Sequence, residues 1–297
     1  MISVLIPVYN YNIVPLVENL HQQLTETGII FEILAHDDGS TNQAFIESNQ
    51  SINNLEYTSY HILNKNIGRS AVRNLLAKNA SFEWLLFLDA DVLPKNRNFI
   101  SKYLRSISTN SEVIYGGIVY TEEKPDQTNL LRWVYGNKRE ALTSEERKKN
   151  TYVTFLTLNF LIHKSVFSKV SFNENIPNLR HEDTLFSYNS KLKNINVEHI
   201  ENPTYHLGLE DSNQFFKKSM ESVDVLFLLL KQGLIPGDYT KISRNFFKLK
   251  RLGFHYVLAI IYKLFRSHFK RNLLSNKPSL FIFDLCRLGY LCTLYIQ

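Results

Sequence analysis

Apolar residues over the first 120 positions follow two alternating rhythms. Short runs rich in aliphatic and β-branched residues occur at Ile2–Val8, Ile29–Ala35, Tyr57–Leu63, Trp84–Leu88 and Val113–Val119, as expected of strands with covered faces. Between them, apolar residues recur every third or fourth position. Those stretches run from about Ile13 to Thr27, closed by Gly28, through about Gln50, over Arg69–Ala80 and over Asn96–Ser108, and they read as helices. Strand and helix in alternation predict βαβ units, a mainly parallel sheet and right-handed crossovers.

The second half is less regular. Residues Glu122–Asn150 are polar and charged, which predicts a loop or a helical excursion. Tyr152–His163 reads as a strand, with Asn159–His163 at its active-site end, and Arg180–Lys191 as a charged loop leading into a helix. Ser212–Gln232 reads as an apolar-rich helix capped by Asp211 or Ser212 and closed by Gly233. The character changes beyond Pro236, so the expected domains are residues 1–238 and a helical C-terminal region, residues 239–297.

Composition narrows the class. With 44% apolar and 21% charged residues among 297, the chain is globular. Its 20 Phe and 16 Tyr call for large buried faces or an apolar partner. Cys286 and Cys292 cannot frame a disulfide-held fold, which fits a reducing compartment. Met1 leads directly into the first strand with no basic n-region, so the expected location is cytoplasmic. The net charge of +6 is uneven: residues 240–297 hold eleven Lys and Arg against Asp284 alone, a net of +10, leaving residues 1–239 at −4. Basic and aromatic residues are not interleaved over the candidate site, so no nucleic-acid partner is expected.

Six segments carry candidate chemistry. Asp89-Ala90-Asp91 directly follows the apolar run Trp84–Leu88, at the strand end where open α/β sheets bind ligands. Paired carboxylates there suit a hard cation shared with a diphosphate, or one acid caps a helix and the other is solvated. Pro7 ends the first strand and leaves Tyr9 to present an aromatic face on which a flat base could stack, or to sit as a surface residue in an ordinary loop. His36-Asp37-Asp38-Gly39-Ser40-Thr41 is turn chemistry with two adjacent acids, one of which can accept a ring N–H from uracil or guanine. Gly68 opens a helix on which Arg69 and Arg73 share a face, able to flank a diphosphate or to lie in solvent. Glu182 and Asp183 precede an apolar helical pattern as a cap or as a general base, and His206 is a metal ligand or a structural imidazole.

Taken in series over about residues 1–210, these segments resemble the family 2 glycosyltransferases of the GT-A fold. That group includes bacterial enzymes that build lipopolysaccharide O-chains, capsules and exopolysaccharides. The resemblance implies an α/β, Rossmann-like, mainly parallel sheet flanked by helices, here with a basic and apolar helical appendage. It also implies a nucleotide-sugar donor (a UDP-sugar in the first instance), Mg²⁺ or Mn²⁺, and inversion at the anomeric carbon. Carried over residue by residue, Pro7, Tyr9, Asp38, Gly68, Arg69, Arg73 and Asp89 line the donor. Asp91 and His206 hold the metal, Asp183 is the base and Glu182 touches acceptor or donor hydroxyls. His36 stands where relatives have an apolar residue, Asn42 where Asp is common, and Val92 where some have a third acid.

The tail follows no catalytic pattern. Leu252–Phe265 is interrupted by Lys263 and Ser279–Ile296 by Asp284 and Arg287, so neither makes a clean span. Basic residues beside Phe, Tyr and Leu suit peripheral contact of residues 243–297 with the inner face of the cytoplasmic membrane, or a helical pair packed on the rest of the chain. A glycan or polyprenyl-linked acceptor fits the membrane reading. The rivals are a polyprenyl-phosphate sugar transferase and, from another class, an inactive nucleotide-binding scaffold. A pyrophosphorylase lacks support because there is no N-terminal Gly-x-Gly loop followed by Arg and Leu.

Overall fold

The computed structural model describes residues 1–176 and 180–296. Contacts divide the chain into two compact units: Met1–Tyr120, Ala141–Asn178 and Glu182–Gly208 in the first, and Thr121–Glu140, Leu179–His181 and Leu209–Gln297 in the second.

The first unit is built on ten strands: β1 (Ile2–Val8), β2 (Phe31–Asp37), β3 (Thr58–Ile62), β4 (Trp84–Leu88), β5 (Val92–Pro94), β6 (Val113–Tyr115), β7 (Ile118–Val119), β8 (Asn159–His163), β9 (Val197–His199) and β10 (Thr204–His206). Seven of them form one sheet in the order β3-β2-β1-β4-β8-β6-β9, and β5-β10-β7 form a small second sheet. Its helices are α1 (Val14–Thr27), α2 (Gln43–Gln50), α3 (Arg69–Asn79), α4 (Phe99–Ser106), α6 (Ser144–Lys148), α7 (Lys164–Val170) and α8 (Glu182–Leu192). Strands β3, β2, β1 and β4 are mutually parallel, whereas β8 runs antiparallel to both β4 and β6. The reversal corrects one expectation. Asn159 pairs with Leu88 at the edge that carries the candidate site, while His163 pairs with Trp84 at the opposite edge.

The continuous apolar runs are explained by cover on both sheet faces. Val4, Ile6 and Val8 pack with Leu86 and Leu88 against Leu16 and Leu20 of α1 and Phe99 and Tyr103 of α4. Leu5, Phe87 and Phe160 face the other way, with Leu76 of α3 and with Phe167, Phe172 and Phe186. Phe172 and Phe186 stack with centroids 4.4 Å apart, and Phe87 and Phe160 at 4.9 Å. Much of the high Phe content is spent here.

The stretch expected as one strand over Val113–Val119 is two, broken at Gly116-Gly117. Gly117 has φ +87°, and a Cβ there would lie 2.1 Å from Nη1 of the buried Arg147. Arg147 donates to the carbonyls of Leu142 (2.6 Å) and Ile200 (2.6 Å) and to Nδ1 of His199 (3.3 Å). Side-chain atoms of Arg147 thus tie the bend between the sheets to the segment that enters β10.

The second unit contains α5 (Leu130–Arg139), α9 (Ser212–Lys231), α10 (Lys241–Arg251), α11 (Phe254–Leu273) and α12 (Leu280–Leu294). Asp211 caps α9, accepting from the Asn213 and Gln214 amides at 2.9 and 3.0 Å. Phe215 of α9 stacks on Phe283 of α12 at 5.8 Å. That packing places α9 with the C-terminal helices, so the division falls at 208/209 where the sequence suggested 238/239. Among the described residues, no helix is long and apolar enough to cross a membrane.

Two buried histidines of the first unit couple its stability to pH. Burial, then His61, pushes His36 on β2 down to about 4; burial, then Arg147, pushes His199 down to about 4. In the unfolded chain both protonate near the ordinary histidine value of about 6.5. Their neutral forms are therefore favoured by folding, and the associated stability is full above that value and lost as pH falls toward 4. Urea midpoints measured from neutral pH downward should drop across that window, and His36→Leu should flatten the slope.

Candidate active site

The carboxyl ends of β1 and β2 lie side by side, with Val8 opposite Asp37 and the Asp38 amide donating to the Val8 carbonyl at 2.8 Å. Pro7 removes one ladder donor, and β1 ends at the next residue, Val8, where the apolar run ends. Tyr9 follows with 52% of its surface exposed. Asn10, at φ +49°, ties this end to the next loop: its Oδ1 accepts from the Thr41 and Asn42 amides at 2.8 and 2.9 Å. Sequence reasoning passed over Asn10, although Asn tolerates positive φ and bonds nearby backbone.

Asp37 and Asp38 are both buried and do different things. Asp37 accepts from the Ser40 amide at 2.6 Å and from the Tyr60 hydroxyl. Asp38 accepts from the amides of Ile67 (2.6 Å) and Gly68 (3.0 Å), fixing the loop that opens α3. Burial raises its pKa, and those two amides pull it back. Gly68 has φ +93°, which the entry to α3 requires. His36, which departs from the family pattern, is buried and held neutral here, its Nδ1 having no hydrogen-bond partner among the described residues.

Arg69 and Arg73 do not share one open face. The Arg69 side chain is 54% exposed and that of Arg73 only 5%. Arg73 Nη2 donates to Asp89 Oδ1 at 2.6 Å, and its Nη1 lies 3.7 Å from Glu182 Oε1. Arg69 Nη1 lies 3.6 Å from the same Glu182 oxygen. Burial opposes the charge on Arg73, but Asp89, Glu182 and Asp183 outweigh it and raise the pKa. Three acids expected at the site thus converge on one guanidinium, contributed by the end of β4 and the first turn of α8. Asp183 is half-buried and accepts the Thr184 amide at 2.7 Å.

Asp91 and His206 are brought together by the small sheet. His206 on β10 pairs with Val92 on β5, and the Leu207 amide donates to the Asp91 carbonyl at 2.8 Å. His206 Nε2 then lies 3.7 Å from Asp91 Oδ2, while its buried Nδ1 has no hydrogen-bond partner among the described residues. Gly208 makes room, since a Cβ there would sit 2.0 Å from Asp91 Oδ2. Tyr11, unremarked in the sequence, is raised in pKa by burial and then by Asp91. The residues fit a divalent cation in one respect only. A carboxylate and an imidazole converge, but no group of three or more His, Cys, Asp or Glu does so among the described residues. Such a pair holds a metal jointly with ligand oxygens, as hard cations bound to phosphates commonly are.

A family model for glycosyl transferase family 2 matches residues 3–171, more than half of the chain. The chain belongs to glycosyl transferase family 2. Its architecture is mixed α/β, with a mainly parallel central sheet flanked by helices. An uncharacterized glycosyltransferase of Rickettsia felis is 41% identical over 92 residues, 31% of this chain, and the match spans 15% of that relative's length. An uncharacterized glycosyltransferase of Haemophilus influenzae is 24% identical over 244 residues, covering 80% of this chain and 92% of that protein. Among solved structures, the mannosyltransferase PcManGT from Pyrobaculum calidifontis, in complex with GDP-Man and Mn²⁺, superposes with TM-score 0.59 at 12% identity, over 99% of this chain and 86% of that one. S. aureus TarS 1–349 in complex with UDP-GlcNAc gives 0.51 at 20% identity, over 76% and 66%. At these identities the likeness is one of fold.

Replacing Arg73 by Met leaves Asp89 without its cation and Glu182 with the exposed Arg69 alone. Asp89 keeps 31% of its side chain exposed, so the expected cost at neutral pH is about 2–4 kcal/mol, somewhat below that of breaking a fully buried pair. Urea unfolding should show this penalty shrinking as pH falls and the acids protonate. A penalty independent of pH would refute the electrostatic account.

Proposed function

We propose that the first unit transfers a sugar from a nucleoside-diphosphate donor, in the first instance a UDP-sugar, to a hydroxyl of a glycan or polyprenyl-linked acceptor in cell-surface polysaccharide synthesis, by a single inverting displacement. The observation that carries this reading is the convergence of Asp89, Glu182 and Asp183 on Arg73, with the Asp91–His206 pair two residues along the chain from Asp89. Family membership supports the reaction class. The UDP-GlcNAc and GDP-Man complexes of proteins sharing the fold support a nucleotide-sugar as the donor.

Each residue then has a task its surroundings suit. The exposed ring of Tyr9 stacks on the base. Asp38 shapes the loop beneath it and keeps lone pairs for a ring N–H, since a carboxylate has about four acceptor sites. Asp89, oriented by Arg73, accepts from ribose or sugar hydroxyls. Asp91 and His206 hold Mg²⁺ or Mn²⁺ with the diphosphate, and the cation when bound offsets the negative charge that develops on the leaving group. Arg69, more than half exposed at the head of α3, adds positive charge on the same side. Glu182 is held by Arg69 and Arg73 and touches hydroxyls. Asp183 takes the proton from the attacking hydroxyl.

General-base assistance contributes about 10²–10⁴-fold. Asp183→Asn should therefore lower turnover by that order and leave the donor-induced rise in melting temperature intact. Asp91→Asn should instead remove the Mn²⁺-dependent part of that rise in a panel of UDP-, GDP- and dTDP-sugars. Full turnover in Asp183→Asn would exclude it as the base and favour a phosphate acceptor, which needs little help in losing a proton.

Gly208→Ala drives a methyl group onto the Asp91 carboxylate and should weaken the same Mn²⁺-dependent shift. The Ala variant should melt close to the parent in the absence of ligand.

A further inference from the structure

Helix α11 is apolar on two opposite sides. His255, Ala259 and Leu273 are buried, and Tyr262 packs against Gly289 of α12, where a Cβ would lie 2.7 Å from the Tyr262 Cβ. On the other side Phe254, Val257, Ile260, Ile261, Leu264 and Phe265 are between 36% and 70% exposed. Their three- and four-residue spacing places them on one stripe. A helix that is apolar all round is ordinarily covered all round. Here one face is covered and the other is bare, a contiguous apolar strip of the kind that marks an interaction site.

The charge around the strip identifies what covers it. From Lys241 to Phe283 there are ten Lys and Arg and no Asp or Glu. Lys248, Lys250 and Arg251 precede the strip, and Lys263, Arg266, Lys270 and Arg271 lie along and beyond it; all are exposed. We propose that this face of α11 docks on an anionic lipid bilayer, with the helix lying in the plane of the headgroups. The apolar side chains enter the acyl boundary while the lysines and arginines meet lipid phosphates. A second copy of the chain would set the same cations against each other, whereas an anionic bilayer supplies the opposite sign. The four charges within and at the end of α11 keep it in the interface and do not let it span. The surface stands apart from the reaction assigned to the first unit, and its test reads lipid binding alone.

Co-sedimentation of the full chain with sucrose-loaded vesicles tests the proposal, using phosphatidylcholine alone and phosphatidylcholine with one-third phosphatidylglycerol. Each basic residue near an anionic surface is worth about fivefold in partitioning, so the mixed vesicles should bind at least about 100-fold more tightly. Added salt should reduce that advantage. Changing Val257, Ile260, Leu264 and Phe265 together to Ser should cost about 100-fold or more. A second variant, Lys263→Ser with Lys270→Ser, should lose about 25-fold on mixed vesicles only. Wild-type protein left in the supernatant of mixed vesicles, or equal binding by the parent and the fourfold variant, would overturn the proposal. So would a solution dimer abolished by the fourfold variant, because that outcome gives the strip to a second copy.

Discussion

A buried guanidinium organises the acidic side of this site. Asp89 comes from the end of β4 and Glu182 and Asp183 from the start of α8, segments more than ninety residues apart in sequence. Carboxylates gathered in a medium of intermediate dielectric repel one another by an amount on the order of kilocalories per mole. Arg73 turns that repulsion into attraction, because its planar fork reaches Asp89 and Glu182 from one position. Phe172 lies against the same guanidinium, 5.3 Å from its ring centroid to Cζ, and stacks on Phe186 of α8. The acids are therefore held by a cation that is itself seated on the aromatic core.

That core sets the frame in which these positions have meaning. Apolar side chains alternate between the two faces of the sheet, so the polar residues that remain are pushed to strand ends. The antiparallel β8 brings Asn159, not His163, to the same edge as Asp89. Asn159 is fully buried there, accepting from the Tyr103 hydroxyl at 2.7 Å and donating to the Gly117 carbonyl at 2.8 Å. A saturated amide in this position joins the large sheet to the bend that leads into the small one.

Much of this was readable from residue order alone, and the exceptions share a cause. Ile2–Val8 and Trp84–Leu88 were legible because strands covered on both faces leave long apolar runs. The Asp-x-Asp after β4 was legible because polar residues directly beyond such a run lie at its end. The direction of β8 was not legible, since an apolar run carries no arrow. Arg69 and Arg73 have the same helical spacing as any pair on one face, and only packing against Phe172 and α8 shows that one turn separates solvent from interior. His206 reaches Asp91 through pairing between β5 and β10, three-residue strands too short to announce themselves. The Gly116-Gly117 break was signalled by its glycines and yielded to the apolar pattern around it. The end of α9 looked like a boundary because composition changes beyond it, whereas its ring stacking binds it to α12.

The loop from Asn64 to Gly68 has a further consequence. Two of its amides are fastened to the Asp38 carboxylate, so its shape is settled when the chain folds. A molecule resting on such a loop meets a rigid seat and is spared the conformational entropy of ordering it. If the proposed donor rests there, its recognition would be governed by fit, and a group of the wrong outline would gain little from local give.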